Sequence, residues 1–107
     1  MPDQKKTRRQ MLEEFVATKP DDSFSRYGLA MECMNSGDPS AADTHFRALI
    51  ERHADYIPAY LMYAQLLARE SRGDEARQVL SHGINAATKK GDEHARSEME
   101  ALLNELG

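Results

Sequence analysis

The sequence predicts an all-α fold, and three observations carry that expectation. Chain breakers recur at Lys19-Pro20-Asp21-Asp22, Ser36-Gly37-Asp38-Pro39, Asp55-Tyr56-Ile57-Pro58, Arg72-Gly73-Asp74 and Lys90-Gly91-Asp92, leaving six intervals of roughly helix length. Within each interval apolar residues recur at three- and four-residue spacing, the period of a helix with one buried face. Strand signals are missing: no apolar/polar alternation is sustained, and valine and isoleucine are scarce. Helix content should therefore exceed about two-thirds, against ~30–35% in an average globular domain.

Taken in order, the helices are expected at 3–18, 22–36, 39–53, 57–71, 74–89 and 92–106. The first presents Leu12, Phe15 and Val16 on one face, and the second presents Leu29, Ala30 and Cys33. Asp38 can cap the third by accepting from its free N–H groups, while Pro39 occupies the first helical position, where a missing N–H does no harm. Pro58 plays the same part in the fourth, after Asp55. Asp74 and Asp92 each follow a glycine, so each can cap a new helix while the glycine ends the previous one in left-handed geometry. Gly83 falls inside the fifth helix and should cost about 1 kcal/mol relative to alanine. Ala95, Met99, Leu102 and Leu106 give the last helix an apolar stripe with acidic residues outside it.

The chain repeats itself. A shift of 34 residues brings Leu29 onto Tyr63, Ala30 onto Ala64, Cys33 onto Leu67, Ala42 onto Ala76, Phe46 onto Leu80 and Ile50 onto Ile84. Large residues flanking a small one are what two crossing helices need, since the small residue lets the backbones approach. The same step backwards places Phe46, Leu49 and Ile50 on Leu12, Phe15 and Val16, so the first helix is the second half of a repeat. Forwards, Ala30 and Ala64 meet Glu98, and the last helix departs from the pattern as a closing helix does.

These residues, with Tyr60 added and a turn at each required place, resemble the tetratricopeptide repeat family, whose helix–turn–helix unit has this period. The resemblance implies a right-handed stack of six antiparallel helices in one domain: a half repeat at 3–20, repeats at 23–56 and 57–90, and a capping helix at 92–106. There are departures. Leu49 and Gly83 stand where the family has alanine, Arg26 where it has a large aromatic, and Gly73-Asp74 comes two residues later in its repeat than Gly37-Asp38.

In the family the first helix of each pair lines a concave groove that holds an extended peptide or a partner helix. Carried onto this chain, that face comprises Phe24, Tyr27, Gly28, Met31, Met34 and Asn35, then Leu61, Met62, Gln65, Ala68 and Arg69. Members that grip a terminal carboxylate use lysine and asparagine on this face. Here those places hold Tyr27, Met31, Leu61 and Gln65, so that clamp is missing and an apolar, methionine-rich surface remains. Such surfaces adapt to apolar ligands of varied shape. The resemblance thus implies a protein–protein interaction module with a protein or peptide partner. Two alternatives stand beside it: Phe24, Met31 and Met34 as plain core, and a homodimer through the same face.

Other functions find little support. The net charge is −4, with Lys5, Lys6, Arg8 and Arg9 gathered near the N-terminus and an acidic remainder that would repel phosphate, so no nucleic-acid partner is expected. No apolar run reaches the ~20 residues of a membrane span, and the N-terminus lacks a secretory apolar stretch, so a cytoplasmic location is expected. The lone cysteine fits a reducing compartment and, matched to Leu67, reads as a buried thiol rather than a nucleophile. His45, His53, His82 and His94 have no metal-ligand spacing, and His94 with Glu98 reads as a polar pair on one helix. No phosphate loop or nucleophile motif is present. An enzyme, a cofactor and a metal are not expected.

Overall fold

The computed structural model describes residues 5–107, and six helices fill about three-quarters of the chain: α1 (Arg8–Thr18), α2 (Ser23–Asn35), α3 (Pro39–Arg52), α4 (Pro58–Arg69), α5 (Gly73–Lys90) and α6 (Glu93–Leu106). No strand occurs among the described residues, and the all-α expectation holds. Successive helices pack on one another, most extensively α2 on α3 and α4 on α5. The molecule measures 54 × 28 × 20 Å, longer than a ball of its mass, as a one-dimensional stack should be.

Helix starts are set by local chemistry. The Asp22, Asp38 and Asp92 carboxylates accept from the N–H of Ser25, Ala41 and Ala95, and Pro39 and Pro58 sit in first turns. The first helix starts at Arg8, not at residue 3. Thr7 accepts from the Gln10 N–H while Gln10 accepts from the Thr7 N–H, a reciprocal cap. Residues 3 and 4 of the expected helix lie outside the described residues. Asp55 caps nothing: α4 begins without a side-chain cap, and the loop before it is held instead by the Tyr60 hydroxyl donating to the Ala54 carbonyl at 2.6 Å. Asp74 does not cap either, because it lies in the first turn of α5 and pairs with Arg77.

The ends of the inner helices show the 34-residue step in hydrogen bonds. The Asp38 N–H donates to the Cys33 carbonyl at 2.9 Å, and the Arg72 N–H to the Leu67 carbonyl at 2.8 Å. Each bond spans a left-handed residue, as a helix-ending glycine motif requires. In the first turn that residue is Gly37, with φ 79°. In the second it is Ser71, with φ 60°, while Gly73 opens α5. The sequence expectation placed the left-handed residue at Gly73; the register places it at Ser71, where a side chain carries strain that glycine would not. Gly91, with φ 74°, ends α5 as expected.

The departures from the repeat prove to be paired. Arg26 stands where Tyr60 stands one repeat later, and its guanidinium donates to the Pro20 carbonyl at 3.0 Å. Tyr60 likewise donates to a carbonyl six residues before it, so a cation does the work of a phenol. Asp21 and Asp55 also match across 34 residues: Asp21 pairs with Arg52 at 2.7 Å, and the Asp55 carbonyl accepts from Lys90 at 3.1 Å. Leu49 and Gly83 are the complement. A Cβ on Gly83 would stand 2.6 Å from the Tyr60 Cβ and 2.5 Å from the Met99 sulfur. Glycine is therefore required where the Tyr60 ring crosses α5. In the repeat where Arg26 replaces that ring, the position matching Gly83 is Leu49, which is fully buried. The helix-propensity cost of Gly83 is real but buys contact.

The core follows the register. Leu29, Ala30, Cys33, Ala42, Phe46, Leu49, Ala64, Leu67, Ala76, Leu80 and Met99 are all but completely buried. An aromatic chain runs through it, with Tyr56 tilted on Tyr27, Tyr27 edge-on to Phe46 and Phe46 stacked on Tyr63 at ring separations of 5.4, 6.4 and 5.7 Å. The Tyr63 hydroxyl donates to Asp43, which Arg47 and Arg72 also approach, at 3.3 and 3.7 Å. Burial pushes the Cys33 thiol above its ordinary range, which disfavours the thiolate a nucleophile needs.

Gly83→Ala should destabilise by about 1–3 kcal/mol through overpacking, lowering the melting temperature by at least ~4 °C in calorimetry; an unchanged value would mean that α4 and α6 can simply retreat. Ser71→Gly should stabilise by up to about 1 kcal/mol, the relieved strain less the added chain entropy, and raise the melting temperature.

Native Cys33 should react slowly with a thiol reagent and fast once denatured. Cys33→Ala should cost about 1 kcal/mol, and Cys33→Ser more, because a buried hydroxyl needs a partner. Rapid native labelling would place the thiol at the surface.

Asp22 is held below the usual carboxylate range first by the Ser25 hydroxyl and then by the Ser25 N–H, and Asp38 first by the Ala41 N–H and then by Arg9. Because both folded values are lowered, their contribution is complete above the unfolded value of ~3.9 and disappears as pH falls through the lower folded values. Melting temperature should drop over that acid range, and less steeply in Asp38→Asn.

Candidate functional site

Curvature decides which faces can receive a ligand. Helices α2, α4 and α6 touch in a row, whereas α3 and α5 do not touch. The stack therefore closes on the even-numbered side, which is concave, and splays on the other. On the concave side a hollow of about 210 Å³ is lined by Tyr27 of α2, by Ile57, Pro58, Leu61 and Met62 at the start of α4, and by Asp92, Ala95, Glu98 and Met99 at the start of α6.

The expected face is divided by the structure. Tyr27, Leu61 and Met62 meet in this hollow, with Tyr27 anchored from behind by Phe46 and Tyr56. Burial pushes the Tyr27 phenol upward, so the group that faces the hollow is a neutral hydroxyl on a fixed ring. Met31, Gln65 and Ala68 are half-buried and Asn35 and Arg69 exposed. They follow Tyr27 and Leu61 by four and by seven or eight residues, which continues each helix's face past the hollow. Met34 is a correction: it is only 7% exposed and belongs to the core, as the plain-core alternative had it. Phe24 and Gly28 turn away as well. They line a separate hollow of about 320 Å³ with Met11, Leu12 and Phe15 of α1, because α1 packs on that side of α2.

The sequence reading missed the contribution of α6. At a step of 34 residues α6 breaks the repeat, but at 35 Ala95 falls on Tyr60, Met99 on Ala64 and Leu102 on Leu67. Burial agrees, since Met99 alone in α6 is completely buried, against Gly83 and Tyr60. Helix α5 runs to Lys90 and only Gly91 and Asp92 separate it from α6, so the third inner helix arrives one residue out of step. It is a wall of the hollow as well as an end.

The electrostatics are simple. Asp92 and Glu98 edge the hollow with negative charge; Asp92 also caps α6, and Glu98 lies 3.3 Å from His94. A larger hollow, of about 660 Å³, opens on the splayed side between α3 and α5 over Tyr60, with Ile50, Ala54, His82 and Ala86 in its walls. No group of three metal-ligating side chains occurs among the described residues, and no helix among them is long and apolar enough to cross a membrane.

Comparison with known proteins agrees with this geometry. A tetratricopeptide repeat family profile matches residues 34–103, which span α3 to α6. A tetratricopeptide repeat domain protein from Salinibacter ruber, solved by NMR, is 31% identical, with 82% of this chain and 89% of that one covered and a TM-score of 0.78. A protein from Bordetella parapertussis is 24% identical, with 95% and 89% covered and a TM-score of 0.80. The type III secretion translocator chaperone SycD of Yersinia enterocolitica is 13% identical, with 92% and 68% covered and a TM-score of 0.84; these two share the fold. No curated protein gives a significant match. The 34-residue register, the all-helical stack and the profile match converge: this chain belongs to the tetratricopeptide repeat family.

Proposed function

We propose that the chain is a non-catalytic interaction module that binds an extended peptide or a partner helix on its concave face, across α2, α4 and α6. The observation that carries this reading is the hollow in which Tyr27, Leu61 and Met62 converge under the acidic edge of Asp92 and Glu98. An apolar side chain of the ligand fills it, held against the fixed Tyr27 ring and adaptable methionine. Met31, Gln65, Ala68, Asn35 and Arg69 extend the contact along the face. A central apolar anchor with polar surroundings is how such interfaces concentrate their energy.

Charge refines the choice of ligand. The acidic edge and the net charge of −4 favour a peptide with lysine or arginine beside its apolar anchor, through complementarity that speeds encounter and sets register. Nucleic acid is not part of this reading. Lys6 pairs with Glu14, Arg8 with Glu32, and Arg9 with Glu13 and Asp38, so these three basic side chains are matched by carboxylates of the same surface. A reducing location such as the cytoplasm suits the buried Cys33 thiol.

Peptides selected from a random display library on the wild-type protein provide the test. Those selected should carry an apolar residue flanked by basic ones. Leu61→Glu, at a half-buried position, should weaken them at least tenfold, about 1.4 kcal/mol, while Phe24→Glu leaves them unchanged. Peptides indifferent to Leu61→Glu but lost in Ile50→Glu would move the site to the splayed side and sink the concave reading.

A further inference from the structure

The splayed side of the stack carries a hollow that the concave reading does not use. It opens between α3 and α5 and measures about 660 Å³, within the roughly 300–1,000 Å³ of small-molecule sites. Its floor is held at both ends. The Tyr60 hydroxyl donates to the Ala54 carbonyl, and the Tyr60 Cβ lies where only a glycine at position 83 leaves room. Ala54, just past α3, and Ala86 of α5 line the hollow from its two sides, with Ile50 beside them. Walls of small apolar side chains over a fixed ring admit a flat group more readily than a branched one.

The internal repeat shows why this place is open. Ala86 is the counterpart of Arg52, and Tyr60 of Arg26. One repeat earlier Arg52 donates to the Asp21 carboxylate at 2.7 Å and to the Pro20 carbonyl at 3.4 Å, and Arg26 donates to that carbonyl too. Two guanidinium groups bridge the gap there. In the second repeat alanine stands in place of the bridging arginine. Asp55, the counterpart of Asp21, is met instead by Lys90, whose ammonium donates to the Asp55 carbonyl at 3.1 Å and lies 4.0 Å from its carboxylate. The one acidic side chain of the lining is thereby offset.

The remaining polar groups of the lining are donors. His82, Asn85 and Lys89 line the hollow from successive turns of α5, at the spacing of a single helix face. None of the three makes a side-chain hydrogen bond or ion pair among the described residues. From Ala76 to Gly91 the chain has no acidic residue, in contrast to the Asp92 and Glu98 edge of the concave hollow. The Lys89 ammonium therefore gives this hollow a positive wall in a chain of net charge −4.

We infer that this hollow is a second binding site, for a small planar aromatic carboxylate. The ring of the ligand lies over Tyr60 between Ala54 and Ala86, and its carboxylate accepts from the Lys89 ammonium and the Asn85 amide. Charge complementarity selects the sign of the ligand, and the short walls select its shape. A molecule of this size covers none of Tyr27, Leu61 or Met62, so it binds whether or not the concave face holds a peptide.

Amide shifts of the wild-type protein, followed by NMR as naphthoate is added, should move at Ala54, Ala86 and Lys89 and saturate at low millimolar concentration. The neutral naphthamide should bind about fivefold more weakly. Lys89→Gln should remove that preference, lowering naphthoate affinity about fivefold and leaving naphthamide affinity unchanged. Ala86→Arg, which supplies the arginine of the first repeat, should abolish binding of both. Leu61→Glu should alter neither, which separates this site from the concave one. No saturable shift at these residues, equal wild-type affinity for the acid and the amide, or binding retained in Ala86→Arg would each overturn the proposal. Tighter binding of the cationic naphthamidine would overturn it too, by marking Asp55 as the recognition group.

Discussion

Close approach around α4 is the constraint on which the molecule depends. That helix packs on α2, α3, α5 and α6, and it can do so because Gly83 lets the Tyr60 ring and the Met99 sulfur occupy space that any side chain would fill. None of the six helices exceeds 18 residues, and helices this short are marginal alone. Their stability comes from burying a stripe against neighbours, so loosening α4 loosens the rest. The residues that permit close packing are small and fully buried, Ala30 and Ala42 in one pair and Ala64 and Ala76 in the next.

The same packing generates the surfaces. Because inner helices touch while α3 and α5 splay, one side of the stack gathers short contacts and the other opens over Tyr60 and Tyr63. The concave hollow exists because α6 follows α5 after two residues and swings its first turn toward α4. The aromatic chain from Tyr56 through Tyr27 and Phe46 to Tyr63 ties that hollow to the core. A ligand side chain entering it would meet a surface already held in place, which lowers the ordering entropy of binding.

Substitutions within the repeat show how one architecture tolerates different chemistry. Arg26 and Tyr60 reach equivalent backbone carbonyls, of Pro20 and Ala54, by unlike means, and Leu49 stands where Gly83 does one repeat later. Ser71 takes the left-handed place of Gly37, because the helix-ending hydrogen bonds to Cys33 and Leu67 fix where the chain must turn. The geometry is retained while the residues change, which is why matching by residue type alone misplaces the turn by two positions.

Helix number, order and most boundaries were legible in the sequence, since three-and-four spacing and capping residues are local chemistry acting within a few residues. Even the start of α1 was written there, in Thr7 and Gln10. The 34-residue register marked Cys33, Ala42 and Phe46 as core, because identical packing positions demand similar volumes. The sequence also marked Tyr27, Leu61 and Met62 as neighbours on one face. Only the tertiary structure decided that Met34 is core and that Phe24 and Gly28 turn toward α1, because a helical stripe has two flanks and the neighbour packed on each decides which is covered. Only the structure placed α6 in the wall of the hollow. Its one-residue slip, fixed by the length of α5 and the contact of Met99 with Gly83, rotates the helix by about 100°, and a repeat search at constant period cannot detect such a rotation.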